Sequence, residues 1–285
     1  MMHIRRRNQR FPFHLRVPQY YRFLSLPSLV FLSWTLSSSC ARAYSSPTHK
    51  QMVNNTTGPK KPVVIFCHGS GDTGPGAKAW IRALASDSEY SQFQWIFPSA
   101  KPIPYQLNGG AVTSIWYDRI DGFAPTNPEH TGSVEQSTEQ LLNLIEEQVQ
   151  SGVSPSQIAI GGFSMGGAIA LQTAARWHAN NATPLGSVFG LSCYLNYDSK
   201  VWDMLEATSN QWPPTYMAHG AADGFISPQW GEETLERLQR MGVKNSSFRL
   251  LPHVTHDMTE SEIADILRFL ELNLYKETIE YGTNK

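Results

Sequence analysis

The sequence predicts an α/β fold, a mostly parallel, doubly wound sheet in one domain, and three observations carry that expectation. Short apolar runs alternate with segments of helical periodicity from residue 61 to the end. The first run, Pro62-Val63-Val64-Ile65-Phe66-Cys67, is continuously apolar, the pattern of a parallel strand covered on both faces. A later run, Ile158-Ala159-Ile160, passes through Gly161-Gly162-Phe163-Ser164-Met165-Gly166-Gly167 into Ala168-Ile169-Ala170-Leu171, so it reads strand, sharp turn, helix.

Residues 1–58 read as a leader outside the fold, followed by a domain over 59–285. Arg5, Arg6, Arg7, Arg10, Arg16 and Arg22 precede an apolar, Ser-rich run from Phe23 to Leu36. That run is 14 residues long and interrupted by Pro27, too short for a transmembrane segment. The Arg-rich, acid-free composition suits a mitochondrial presequence, Ala41-Arg42-Ala43 a signal-peptidase site, and a start at Met52 would omit the leader. All three destinations stay open at this level. The length of 285 residues suits one α/β domain and an appendage.

The net charge of −1 conceals an asymmetry. Ten of the 23 Lys and Arg precede Asp72, the first acidic residue, which leaves 13 basic against 24 acidic residues, or −11. A body that acidic repels polyanions, so nucleic acid is excluded as a partner. Cys40, Cys67 and Cys193 form no C-x-x-C pair and read as buried thiols, not a disulfide framework or zinc site. Asn54, Asn55, Asn181 and Asn245 begin N-x-[ST] triplets, which matter only in a secreted chain.

In chain order, Trp80, Ile81 and Leu84 have helical spacing, and Phe93 to Pro98 reads as a strand. Ser99 to Gly132, rich in Pro and Gly, is expected to be irregular. Within it Trp116 and Tyr117 either line an acyl pocket or pack the segment on the body. Leu141, Leu144, Ile145 and Val149 mark a helix, with Ser133 and Gln136 as a capping pair. Beyond the serine turn, strands are expected at Leu185–Leu191, Thr215–Gly220 and Ser247–Leu251, and helices at Trp230–Met241 and around Ile263–Leu274.

The motif Gly162-x-Ser164-x-Gly166 is a nucleophile elbow, in which a strained turn presents the serine hydroxyl to a substrate. Such a serine needs a base and an acid that orients it, and in this fold they follow it along the chain with the acid, Asp or Glu, first and the base, His, second. Asp223 lies in the loop after the Thr215–Gly220 strand, whereas Asp198 and Asp203 lie in a polar segment reading as a helix. His253 and His256 both follow the last strand; His256, nearer the final helix, is the expected base. His219 is expected to support the Asp loop. The turn His68-Gly69-Ser70-Gly71 after the first strand offers the Ser70 N–H as one oxyanion donor, with His68 behind it. G-x-x-x-x-G-K-[ST] and H-E-x-x-H are absent, so no phosphate loop, catalytic metal or other cofactor is expected.

His68-Gly69-Ser70-Gly71-Asp72-Thr73-Gly74, the serine turn, His219-Gly220-Ala221-Ala222-Asp223 and His253-Val254-Thr255-His256 together resemble the acyl-protein thioesterase and lysophospholipase family of α/β hydrolases. The likeness covers residues 62 to 272. Trp116-Tyr117-Asp118-Arg119, Met165, Trp230–Thr234 and Met241-Gly242-Val243 fit its lysophospholipase-like branch. The resemblance implies a cofactor-free serine esterase or thioesterase with triad Ser164, Asp223 and His256, the Met165 N–H as second oxyanion donor, and a cytoplasmic location. It implies an acylated protein or small ester as substrate. Met165 stands where the thioesterases proper usually carry Gln, beside the acyl-binding entrance, so the branch separates from long-chain protein depalmitoylation there. Lysophospholipase, a broad short-chain carboxylesterase and a non-catalytic binding module on the same scaffold are the rival readings, and the oligomeric state stays open.

Overall fold

The described residues of this computed structural model are 60–208 and 212–275. They run β1 (Val63–Cys67), α1 (Gly74–Leu84), α2 (Asp87–Tyr90), β2 (Gln94–Ile96), β3 (Pro102–Tyr105), β4 (Ala111–Ser114), α3 (Thr131–Gln150), β5 (Ile158–Phe163), α4 (Met165–Asn180), β6 (Ser187–Leu191), α5 (Lys200–Thr208), β7 (Thr215–Gly220), α6 (Pro228–Arg240), β8 (Ser246–Leu251) and α7 (Glu260–Leu274). The leader expected over 1–58, with Cys40, Asn54 and Asn55, lies outside the described residues.

Six strands pair in the order β2-β1-β5-β6-β7-β8, every neighbour parallel. The four inner strands are buried along their whole length, which is why their sequences are continuous apolar runs and not alternating ones. Alternation instead divides the side chains between two faces. Val63, Ile65 and Cys67 join one core with residues of α3, α4 and α6, while Val64 and Phe66 join a second with Ile81 of α1 and Ile263, Ile266 and Leu270 of α7. The chain crosses from the edge strand β2 to β5 on the far side of β1, so strand order reverses between β1 and β5. The carboxyl ends flanking such a reversal are where open α/β sheets hold their ligands, and the two glycine-rich turns of the sequence sit there.

Two expectations are corrected. Ser99–Gly132 contains an antiparallel hairpin, β3 with β4, whose turn puts Gly109 and Gly110 at φ 61° and 80°. Pro102 and Pro104 argue against a strand in a wide sheet, but in a two-stranded ribbon a proline needs no ladder donor on its outer side. The start of α3 is capped by His130, whose ring accepts from Ser133 N, and Ser133 Oγ accepts from Asp118 N (2.9 Å). Ser133 therefore anchors the preceding segment to α3 and does not begin the helix. Among the described residues no helix is long and apolar enough to cross a membrane.

Candidate active site

Ser164 stands alone between β5 and α4 with φ 54° and ψ −122°, left-handed backbone that a residue with a side chain adopts only under constraint. The constraint is visible on both sides. A Cβ at Gly162 would lie 2.3 Å from the Cys67 carbonyl oxygen and one at Gly166 only 2.1 Å from it, so the turn closes against the end of β1 only with glycine at both places. Ser164 N donates to Leu191 O (2.7 Å), fastening the turn to β6 as well.

The acid arrives on the turn after β7. Asp223 Oδ1 accepts from Phe225 N and Ile226 N (both 2.9 Å), and Oδ2 lies 2.7 Å from His256 Nδ1 and 3.1 Å from His219 Nε2. Burial pushes the Asp223 pKa up, but the Ile226 amide, His256 and the Phe225 amide outweigh it and hold the carboxyl below its ordinary value. His256 comes from the loop after β8, which is stitched to the acid turn by Ala221 N to Leu251 O (2.8 Å) and Ala222 N to Val254 O (2.9 Å). With His256 Nδ1–H committed to the carboxylate, Nε2 is the free acceptor, and it lies 3.0 Å from Ser164 Oγ. Ser164, His256 and Asp223 thus form one hydrogen-bonded line. His253, exposed and at φ 63°, makes no ring hydrogen bond to any described residue.

The turn after β1 passes beside this line, since a Cβ on Gly69 would sit 3.7 Å from Ser164 Cβ. Buried His68 holds its shape. Its Nδ1–H donates to Gly69 O (2.7 Å), its Nε2 accepts from Ala100 N (3.0 Å), and Trp116 Nε1 donates to its carbonyl (2.9 Å). Burial lowers the His68 pKa and keeps the ring neutral, as an imidazole that must accept at one nitrogen requires. Ser70 N–H meets no acceptor among the described residues, and Met165, first residue of α4, has no acceptor for its N–H within the helix. The Met165 amide and the positive end of α4 therefore adjoin the serine, and Ser70 follows Gly69 in the turn beside it.

The family model described as Phospholipase/Carboxylesterase matches residues 48–274. The chain belongs to the phospholipase/carboxylesterase family. It is 34% identical to lysophospholipase-like protein 1 of Mus musculus over 227 residues, 79% of this chain and 92% of that one. It is 32% identical to acyl-protein thioesterase 1 of Debaryomyces hansenii over 221 residues, 76% and 93% of the two chains. Among solved structures it superposes on Arabidopsis thaliana SOBER1 with a TM-score of 0.65 at 26% identity, covering 75% of this chain and all of that one. As a member of this family the chain is a serine hydrolase acting on ester or thioester bonds.

Against that family fold, one part of the expected site is corrected. Trp116 is 0% and Tyr117 4% exposed, and both belong to the core beneath the first turn. They pack the 99–132 segment on the body and offer no surface to an acyl chain. The exposed aromatic group beside the line is one the sequence reading passed over: Phe225 is 55% exposed with its ring 5.1 Å from that of His256, while buried Phe163 packs against the same ring at 4.8 Å. Its position two residues after the expected acid was the only available signal. Cys67 and Cys193 are buried free thiols whose pKa values burial raises, which leaves them unreactive. Among the described residues no three His, Cys, Asp or Glu are grouped to hold a metal.

Proposed function

We propose that Ser164 is the nucleophile, His256 the general base and Asp223 the residue that orients it. The Ser70 and Met165 amides act as oxyanion donors. The observation that carries this reading is the line from Asp223 Oδ2 through His256 to Ser164 Oγ, at 2.7 Å and 3.0 Å. His256 Nε2 takes the hydroxyl proton as Oγ attacks the ester or thioester carbonyl, and the resulting oxyanion lies against the two amides. His256 then gives the proton to the departing alcohol or thiol. Water, activated by the same nitrogen, hydrolyses the acyl-serine and restores Ser164. Asp223, held ionised, stabilises the imidazolium that forms twice in each turnover.

The substrate is an acylated protein or a small ester, a class that suits the acyl-protein thioesterases among the relatives. The hydrolase domain occupies 59–285, with the leader outside it and the enzyme in the cytoplasm as the family resemblance implies. No step calls for a cofactor. Purified protein offered an ester and a thioester of the same acyl group, beside a lysophospholipid, tests the reading. It expects turnover of the ester or the thioester that Ser164→Ala abolishes without loss of fold. Turnover surviving in Ser164→Ala would refute the assignment, and turnover confined to the lysophospholipid would move the substrate class.

A further inference from the structure

Phe225 stands apart from the other aromatic residues at the site because it is more than half exposed at the place where the chemistry happens. Its backbone N–H holds Asp223 Oδ1, so its main chain is fixed by the acid (2.9 Å). Its ring meets His256 at 5.1 Å and 62°, edge to face, and continues into Phe123 at 4.9 Å and 62°. Phe123 is in turn held from behind. Tyr194 Oη donates to its carbonyl, and the buried Arg119 guanidinium lies 5.3 Å from its ring centroid while donating to Tyr194. Arg119 has no carboxylate within ion-pair distance among the described residues; three aromatic rings, of Tyr117, Phe123 and Tyr194, enclose it instead. The result is a braced apolar wall running from the buried cation to the imidazole.

Where that wall stands relative to the substrate follows from the reaction. The oxyanion donors proposed above belong to the turn after β1 and the start of α4, whereas the proton delivered by His256 must reach the atom that departs. Groups that flank the imidazole on its open face therefore flank the leaving group and not the acyl chain. Phe163 meets the same imidazole at 4.8 Å but is only 6% exposed, so of the two rings against His256 it is Phe225 that is open to an incoming molecule. We infer that Phe225, braced by Phe123, contacts the leaving group and selects alcohols and thiols that present an apolar face over those that carry charge. The inference rests on the assignment of His256 as the proton carrier. It deepens that assignment by separating esters of hydrophobic alcohols or thiols from lipids whose leaving group bears a phosphodiester.

The test uses the whole protein and two ester series. One keeps the butyryl group and compares 4-nitrophenol with its 3-carboxylate analogue as leaving group; the other keeps 4-nitrophenol and lengthens the acyl group from acetyl to octanoyl. kcat/KM is divided by the number of serines labelled by a fluorophosphonate, so a poorly folded variant lowers the count of sites and not the ratio. Phe225→Ala is expected to lose about tenfold on the uncharged leaving group and little on the charged one, with Phe225→Leu restoring most of the loss. Phe123→Ala should act in the same direction and less. The acyl series should keep its wild-type order. An equal fall on both leaving groups, or a reordered acyl series with the leaving-group ratio unmoved, overturns the inference. Ser164→Ala, which takes no label and is compared per mole of folded protein, separates the two levels: residual turnover there refutes the nucleophile, while a dead Ser164→Ala with an unchanged ratio in Phe225→Ala refutes only the leaving-group contact.

Discussion

The end of β7 and the loop after β8 each deliver a histidine to the same carboxylate oxygen of Asp223, and only one of the two can be a base. His219 approaches at 3.1 Å with a side chain that is fully buried, its Nε2 shared between Asp223 Oδ2 and Ile226 O. Burial lowers its pKa against the opposing pull of the Ile226 carbonyl and Asp223, so it is a neutral donor whose remaining nitrogen meets no partner among the described residues. His256 approaches at 2.7 Å with 19% of its side chain exposed, and its second nitrogen reaches Ser164. Proximity to the acid is common to both. What differs is the second nitrogen, which in His256 faces the Ser164 hydroxyl and in His219 faces the interior.

The largest effect should come from the oxygen the two histidines share. Asp223→Asn keeps the shape but turns an acceptor into a possible donor toward His256 Nδ1, and a loss in kcat of about ten-thousand-fold is expected, as when such an orienting acid is replaced elsewhere. A variant within tenfold of wild type would mean that Asp223 does not orient the base.

His219→Leu sharpens the comparison because it removes the buried donor and leaves the His256 contact in place. Activity should fall by about tenfold, and thermal unfolding should report a cost of roughly 1–3 kcal/mol from the weakened acid turn. An inactive but well-folded His219→Leu would erase the distinction between the two histidines. The lowered pKa values of His219 and Asp223 act in the same sense on stability. Each depressed group contributes stability above its unfolded value that is lost as the pH falls toward the folded one, so acid should unfold the wild type more readily than His219→Leu relative to neutral pH.

How far the two regions could be read beforehand differs for a physical reason. Ser164, Asp223 and His256 lie at the ends of strands whose apolar runs and glycine turns are local signals, and their order along the chain follows from the parallel winding. The choice of His256 over His253 was nearly silent in sequence, because it depends on a φ of 63° at His253 and on the stitching of the loop to Ala221 and Ala222. Sequence left Trp116 and Tyr117 open between pocket and packing because burial is a tertiary fact, and the β3–β4 hairpin was unforeseen because prolines and glycines that look irregular in one dimension fit a two-stranded ribbon. Phe225 has no periodicity to announce it; its exposure is a tertiary fact.

The smallest expected effect on activity concerns α7, which follows the His256 loop. Thr259 caps it, accepting from Glu262 N (3.3 Å), and the buried Glu262 carboxyl closes no hydrogen bond among the described residues. Burial raises its pKa to about 7 against the pull of the Thr259 amide and Arg249. A raised carboxyl disfavours the folded state as the pH climbs from the unfolded pKa toward about 7, after which the cost is constant. Glu262→Gln should therefore be stabilised at pH 8 relative to pH 5 by up to about 3 kcal/mol, with activity nearly unchanged. Equal shifts in Tm at both pH values would show that Glu262 is not protonated in the fold.

The most direct test of the comparison is the rate at which a fluorophosphonate labels Ser164, followed by mass spectrometry of the labelled peptide, in wild type, His256→Ala, His219→Leu and His253→Ala. Labelling reports activation of the hydroxyl without requiring a substrate. The expected result is an adduct on Ser164 formed at least about a thousandfold more slowly in His256→Ala, and within about tenfold of wild type in the other two variants, a barrier change of no more than about 1.4 kcal/mol. Fast labelling in His256→Ala, with the reaction lost in His253→Ala or His219→Leu, would contradict the account.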